Sequence, residues 1–356
     1  MSQETSQWLN TKTLIGFTEK RGNAWHYREE DPGDEANHYV GAIPVEDVER
    51  RLFDWEAVEV PLPAIPVADL SPDGVDSYEV TDPNRKVIVR PRGALSEDDP
   101  GGIFGIFKGG YTVHQFKPWL LENVAVILDD DLQIGSAGLL KEGAVAFVQV
   151  EMPEGITTPE GVEFRPHLLA ASGMDGSLSS TFKRCVQIAV CDNTMDAALV
   201  EGGKNSQRIR IRHSKKSMGR ITEVREALAI VHDIADEFSA QVAALCNIKV
   251  SDGDWNKFLD EIAAVPEDEG YAKTISTKKR TALEQLYTED ERCAPWTGTA
   301  FGVLQTMNTY MHHGTMVMGD GSRFERNQIN AIRGASAKAD LDTLKVLTGI
   351  GVGRGQ

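Results

Sequence analysis

Cysteine is scarce in this chain: four in 356 residues, Cys185, Cys191, Cys246 and Cys293. No two of them have the C-x-x-C spacing of a zinc site or a redox motif. They read as reduced thiols, in the core or half-buried, in a cytosolic protein. Long apolar runs are missing as well. None reaches the roughly 20 residues that cross a bilayer, so no membrane partner is expected. Met1 to Asn10 has neither a basic start nor an apolar stretch, and no signal peptide is expected there. The familiar catalytic signatures are also lacking. There is no G-x-S-x-G, no H-E-x-x-H, no phosphate loop and no dinucleotide fingerprint. These absences point to a protein that is not an enzyme and uses no cofactor or metal. No internal repeat and no low-complexity tract interrupts the chain.

Hydrophobic residues make up 41% and charged residues 26%, enough apolar material for a sizeable core and too little charge for a disordered chain. The formal net charge is -17, which by itself opposes binding to phosphate. The charge is unevenly spread, however. Residues 1–100 hold 21 acidic and 10 basic side chains, whereas Lys204 to Arg220 holds seven basic side chains and no acidic one.

Three regions follow from the pattern. Residues 1–84 form an acidic segment with a proline-rich arm. Val45 to Phe53 is expected to be a short helix, and the prolines between 61 and 84 are expected to prevent regular structure. Residues 85–220 form an α+β core. Lys86 to Arg90 is a short β-like run. Ile103 to Lys108 and Tyr111 to Gln115 are expected to pair as a hairpin across Gly109-Gly110, followed by a helix from Pro118 to about Leu128. Leu132 to Leu140 and Ala144 to Met152 form a second hairpin, then come strands at Val162 to Ala171 and Thr181 to Val190, the latter leading into a helix capped by Asp192. Gln207 to His213 is a further strand. Residues 221–356 are mostly helical: Ile221 to Leu245 carries one apolar stripe, and shorter helices fall at 254–264, 276–288, 300–312 and 338–348. The fold class is α+β, an antiparallel hairpin/helix/meander core before a helical half.

The most informative local feature is the basic strand. Arg208, Arg210 and Arg212 alternate with Ile209 and Ile211, so the arginines share one face and the isoleucines the other. Lys204, Lys215, Lys216 and Arg220 flank it. Such a ribbon can hold a nucleic-acid backbone, since guanidinium forks grip phosphate. It also fits an edge strand blunted by charge against aggregation. Phe104, Phe107 and Tyr111 surround the glycine turn and could stack bases, or could simply be core. Asp129-Asp130-Asp131 reads as a solvated turn. His312-His313 are adjacent residues of a helix, which do not share a face and so are poorly placed to ligate one metal.

Several segments together carry a resemblance. Ala24-Trp25-His26, Phe53 to Val58, Gly105 to Tyr111, Ser136 to Leu139, Met174 to Ser177, Arg184 to Met195, Thr299 to Gly302 and Tyr310 to His313 resemble, in that order, the phage and plasmid proteins grouped as domain of unknown function 932. His312 stands where that family has an acidic residue beside histidine. The family implies no function. Gly105 to Met152 further resembles the core of single-strand annealing proteins of the Redβ and Erf type. That resemblance implies a homo-oligomer, ring or filament, holding single-stranded DNA or RNA, with Lys108, Tyr111, Lys117 and the 204–220 segment as candidate contacts. The expected function is therefore single-strand binding or annealing in the host cytoplasm. The alternative is a structural or protein-interaction factor of a phage.

Overall fold

The computed structural model describes residues 3–24, 35–68, 77–128, 132–188, 193–196, 208–214, 233–317 and 322–353. Its strands, in chain order, are β1 (Thr13–Ile15), β2 (Val58–Pro61), β3 (Ile65–Ala68), β4 (Ser77–Val80), β5 (Arg85–Arg90), β6 (Gly102–Lys108), β7 (Gln133–Leu140), β8 (Val145–Glu151), β9 (Ile156–Thr157), β10 (Glu163–Gly173), β11 (Ser180–Ile188), β12 (Asn193–Asp196) and β13 (Arg208–Ile211). The large sheet runs β1-β7-β8-β10-β11, antiparallel throughout. Two strands share the outer side of β11: β13 pairs with Ser180–Lys183 and β12 with Cys185–Ile188. A second sheet has the order β2-β5-β6, and β3-β4 is a two-stranded ribbon.

The large sheet is covered on both faces, which is why β8 and β10 read as nearly continuous apolar runs rather than as an alternation. On one face Val148, Val150, Leu168, Phe164, Phe182 and Val186 join the main core with Phe116, Trp119, Phe238 and Val242. On the other, Leu140, Val145, Phe147, Leu169 and Cys185 pack beneath Phe324, Ile329, Ala331 and Ile332 of the helix Arg323–Arg333. The buried Lys183 ammonium donates to the Ala331 carbonyl at 3.1 Å, where the negative end of that helix dipole offsets its charge. Glycines in β7 permit the close stacking. A Cβ on Gly138 would lie 2.8 Å from the Phe147 ring and 2.9 Å from the Thr13 methyl group.

Helices Gln3–Lys12, Thr18–Arg21 and Val45–Val48, the last continued by the π-helical turn Glu49–Phe53, precede β2, and the C-terminal half adds Asp233–Asn247, Asp252–Ile262, Tyr271–Thr288, Ala300–Thr309 and Ala335–Gly349. Ser251, Thr299 and Ser322 cap three of the helices by accepting backbone N–H bonds. The helix Ala300–Thr309 is buried nearly all round, its apolar Ala300, Phe301, Val303 and Leu304 together with the polar Gln305, Thr306, Asn308 and Thr309.

The α+β class and the order hairpin, helix, meander, helical half are present. Three local expectations need correction. Tyr111 to Gln115 is not a strand: the hairpin partner of β6 is β5, and the side chains of Tyr111 and His114 go into a ring stack instead. The proline-rich arm is not devoid of structure, since β2, β3 and β4 lie within or beside it. Pro66 is tolerated there because both strands of a two-stranded ribbon are edges and need no donor outward. After β11 the described chain continues as strand β12, not as a helix; Asp192 lies outside the described residues. The helix expected from Pro118 is a π-helical turn Lys117–Leu121 continuing through Glu122–Ala125. Asp129 to Asp131 and the part of the long helix before Asp233 lie outside the described residues.

Candidate nucleic-acid interface

Among the described residues β13 pairs with one strand, β11, and its alternation is as the residues dictate. Ile211 is buried, Arg210 and Arg212 are exposed. In register, Arg210 stands opposite Thr181, in the row that continues through Ala171 to Phe147. The arginine face of β13 is therefore the face that the helix Arg323–Arg333 covers. Arg208 pairs in register with Lys183. Lys204, Lys215, Lys216 and Arg220 lie outside the described residues.

His213 continues the inward parity of Ile211, and its ring enters a column of five. Phe107 stacks on Tyr111 at 4.1 Å between centroids, Tyr111 on His213 at 5.1 Å, His213 on His114 at 4.0 Å, and His114 on Trp119 at 3.5 Å. Adjacent planes tilt by no more than 17°. A Cβ on Gly105 would lie 3.0 Å from the Phe107 ring and one on Gly176 2.7 Å, so glycine backbone packs closely on that half-buried ring. Phe107 and Tyr111 thus stack on protein rather than offering free faces for bases. Phe104 packs on Trp55 at 6.2 Å. What the column supplies is a rigid mount: the basic edge is pinned one residue beyond Arg212.

Buried hydroxyls join the column. His114 Nδ1 and Ser180 Oγ share a hydrogen bond of 2.7 Å, Ser180 and Ser172 one of 2.9 Å, and Ser172 Oγ lies 3.5 Å from His213 Nε2. Burial pushes the His213 imidazole down to about 4, and burial with the neighbouring His213 pushes His114 to about 3, so both are neutral at pH 7. Burial, with Asp175 and Glu59 adding to it, raises the Tyr111 phenol above its ordinary value.

Beside the column lies a second cation. Lys141 sits in the β7–β8 turn at φ 49°, with Glu142 at 53° and Gly143 at 84°. Two successive side-chain-bearing residues in the left-handed region cost about 1–2 kcal/mol each. The turn is held by Lys141 N–H donating to Glu325 Oε1 at 2.7 Å, and by the Lys141 ammonium on Asp175 Oδ2 and Ser177 Oγ, both at 3.0 Å. Burial alone would raise the Asp175 carboxyl; the Ser177 and Lys141 contacts outweigh it and hold it below the usual range. Lys141, Ser177 and Arg333 line one shallow crevice with Ile329 and Ile332. Residue patterning missed Lys141, Arg333 and His213. The parity of β13 was the signal available for His213; nothing local marked the other two.

Of the other candidates, Lys108 ends β6 and its carbonyl accepts from the Tyr111 amide at 2.9 Å. Lys117 is held by Glu49 at 2.5 Å. A cleft of about 580 Å³ lies elsewhere, between the helix Tyr271–Thr288 and the π-helical turn Tyr310–Gly314. Its cation Arg292 is engaged by Asp290 at 2.7 and 2.6 Å. Among the described residues, no three His, Cys, Asp or Glu side chains converge to hold a metal, and no helix is long and apolar enough to cross a membrane.

A family model described as "Domain of unknown function (DUF932)" matches residues 103–335, well over half of the chain, including β13, the ring column and the Lys141 crevice. No curated protein matches. No solved structure matches.

Proposed function

The chain belongs to the DUF932 family, and from that premise we propose that it is a non-enzymatic protein of phage or plasmid type that binds single-stranded nucleic acid along the basic edge of its large sheet. The observation that carries this reading is the mounting of that edge. Arg210 on β13 and Arg212 just after it are exposed, and the residue that follows, His213, is locked into a ring column, on the side that also bears Arg333 and the Lys141–Asp175 pair. Cations held in place on one side of an acidic molecule attract a polyanion there while the rest of the surface repels it. With Tyr111 stacked between Phe107 and His213, phosphate contacts dominate over base stacking, so binding is insensitive to sequence and steeply dependent on salt. Annealing of complementary strands would follow if two strands occupy neighbouring edges.

The test is a fluorescence-anisotropy titration of a labelled single-stranded oligonucleotide at several salt concentrations. Replacing Arg208, Arg210 and Arg212 with Ala should weaken binding about tenfold or more at low salt. It should also flatten the logarithmic salt slope by about 0.7 for each phosphate no longer neutralised. Unchanged affinity would remove the strand from the interface. No binding by the natural chain at low salt would overturn the proposal and favour the second reading, a structural or protein-interaction factor, which the net charge of -17 supports.

A further inference from the structure

The small sheet β2-β5-β6 has two unlike faces. One carries Ile88, wholly buried, and the Phe107 ring of the column. The other is apolar and, among the described residues, exposed along its outer strands β2 and β6, while Val87 of the central strand is buried at 7%. Register puts Val58, Val89 and Ile103 in one row and Val60, Val87 and Ile106 in the next. Residues opposite each other in an antiparallel sheet share a face, so all six side chains point the same way. All six are β-branched. Ile103 is 73% exposed, Ile106 50%, Val58 46% and Val60 39%.

Ile103 and Ile106 are three residues apart and would fall on opposite faces of a regular strand. A β-bulge in the β5–β6 pairing, between Ile88 and Val89, re-phases β6 and brings both to the outer face. The extra residue, Phe104, turns to pack on Trp55. The bulge therefore builds an exposed apolar surface that a simple alternation would have halved. Ile65 and Val80, opposite each other in the neighbouring ribbon, are also exposed, at 47% and 45%.

Charge tells what fits this face. Beyond the Val60 row lie Arg85 and Lys108, opposite each other in register and, by parity, on the apolar side. Both are exposed; Arg85 has Asp82 beside it at 3.1 Å. The chain flanking the Val58 row carries exposed Asp54, Glu56, Glu97 and Asp98 against one exposed cation, Arg92. A second copy, turned about a two-fold axis that lies between the sheets at right angles to the strands, sets each basic end over an acidic end and the isoleucines over one another. We infer that this face is a self-complementary, isologous dimer interface between two copies of the chain. The inference goes beyond the nucleic-acid reading and does not depend on it. A two-fold contact of this kind closes on itself, so it gives a dimer and not an open filament.

The experiment is sedimentation velocity on the full chain without nucleic acid, over nanomolar to tens of micromolar concentration. The natural chain should sediment as a dimer at the upper concentrations. The double variant Ile103→Lys with Ile106→Lys should raise the dissociation constant at least about a hundredfold, since four isoleucines leave the interface. Both side chains are exposed in the single copy, so its melting temperature should equal that of the natural chain at concentrations where the natural chain is monomeric. A charge-swap pair makes the geometry specific. Lys108→Glu alone should weaken the dimer, and adding Glu56→Lys should restore it. A natural chain that stays monomeric throughout overturns the inference, as does a dimer indifferent to the isoleucine pair. Larger assemblies that persist in that double variant overturn it too. Strand affinity of the double variant, measured beside the arginine variant, keeps the two proposals separately testable.

Discussion

His213 shows how one side chain couples two features of this molecule. Its ring lies between Tyr111 and His114, and its backbone follows the basic strand by two residues. Replacement by Ala should cost about 1–3 kcal/mol, from the missing ring stacking and the cavity left in the column. Amide exchange over residues 208–214 should rise with it. His213→Phe keeps a flat ring in the stack and should restore most of both, although it gives up the interaction with Ser172. Arg212→Ala should leave exchange unaffected. If His213→Ala changes neither stability nor exchange, the column does not hold the strand.

At the scale of elements, glycine positions decide how closely strands approach. Gly138 faces the Phe147 ring from β8 and the Thr13 methyl from β1. Gly138→Ala must displace one of them, and overpacking of this kind costs about 1–3 kcal/mol, read as a lower denaturation midpoint in urea at unchanged slope. β1 has three residues, paired with β7 on one side and bridged to His38 on the other, and if it is the element displaced, exchange at Leu14 and Ile15 should rise. A variant within about 0.5 kcal/mol of the natural chain would mean that β1 does not pack as closely as its register indicates.

The whole molecule carries an unusual store of neutral histidine. Burial, the leading cause in each case, depresses His38, His213 and His312 to about 4, and His114 and His167 to about 3. The unfolded chain protonates these groups near 6.5, the folded chain only near 3 to 4. Between those limits the unfolded state binds more protons, so stability falls as pH drops from about 6.5 toward 4 and is independent of these groups above that range. Carboxylates held below their ordinary range, such as Asp99 and Asp175, add their loss only below about 4. Histidine ring resonances followed by NMR should show five imidazoles still neutral at pH 5. A midpoint near 6.5 for any of the five would contradict its burial.

The residues by themselves determined the α+β class, the meander β7-β8-β10-β11, most of the C-terminal helices and the alternation of β13, because each rests on local periodicity, turn glycines and caps. Local pattern failed where a partner outside the segment decided the outcome. Tyr111 to Gln115 has the residue types of a strand, yet its rings found Phe107, His213 and Trp119 and its backbone pairs with no strand among the described residues. Only the tertiary structure could put Lys141 and Arg333 in one crevice, 192 positions apart in number, on the side where the arginines of β13 emerge. Only it could expose the apolar face of β2-β5-β6, because the bulge that re-phases Ile103 and Ile106 exists in the pairing of two strands and in neither strand alone.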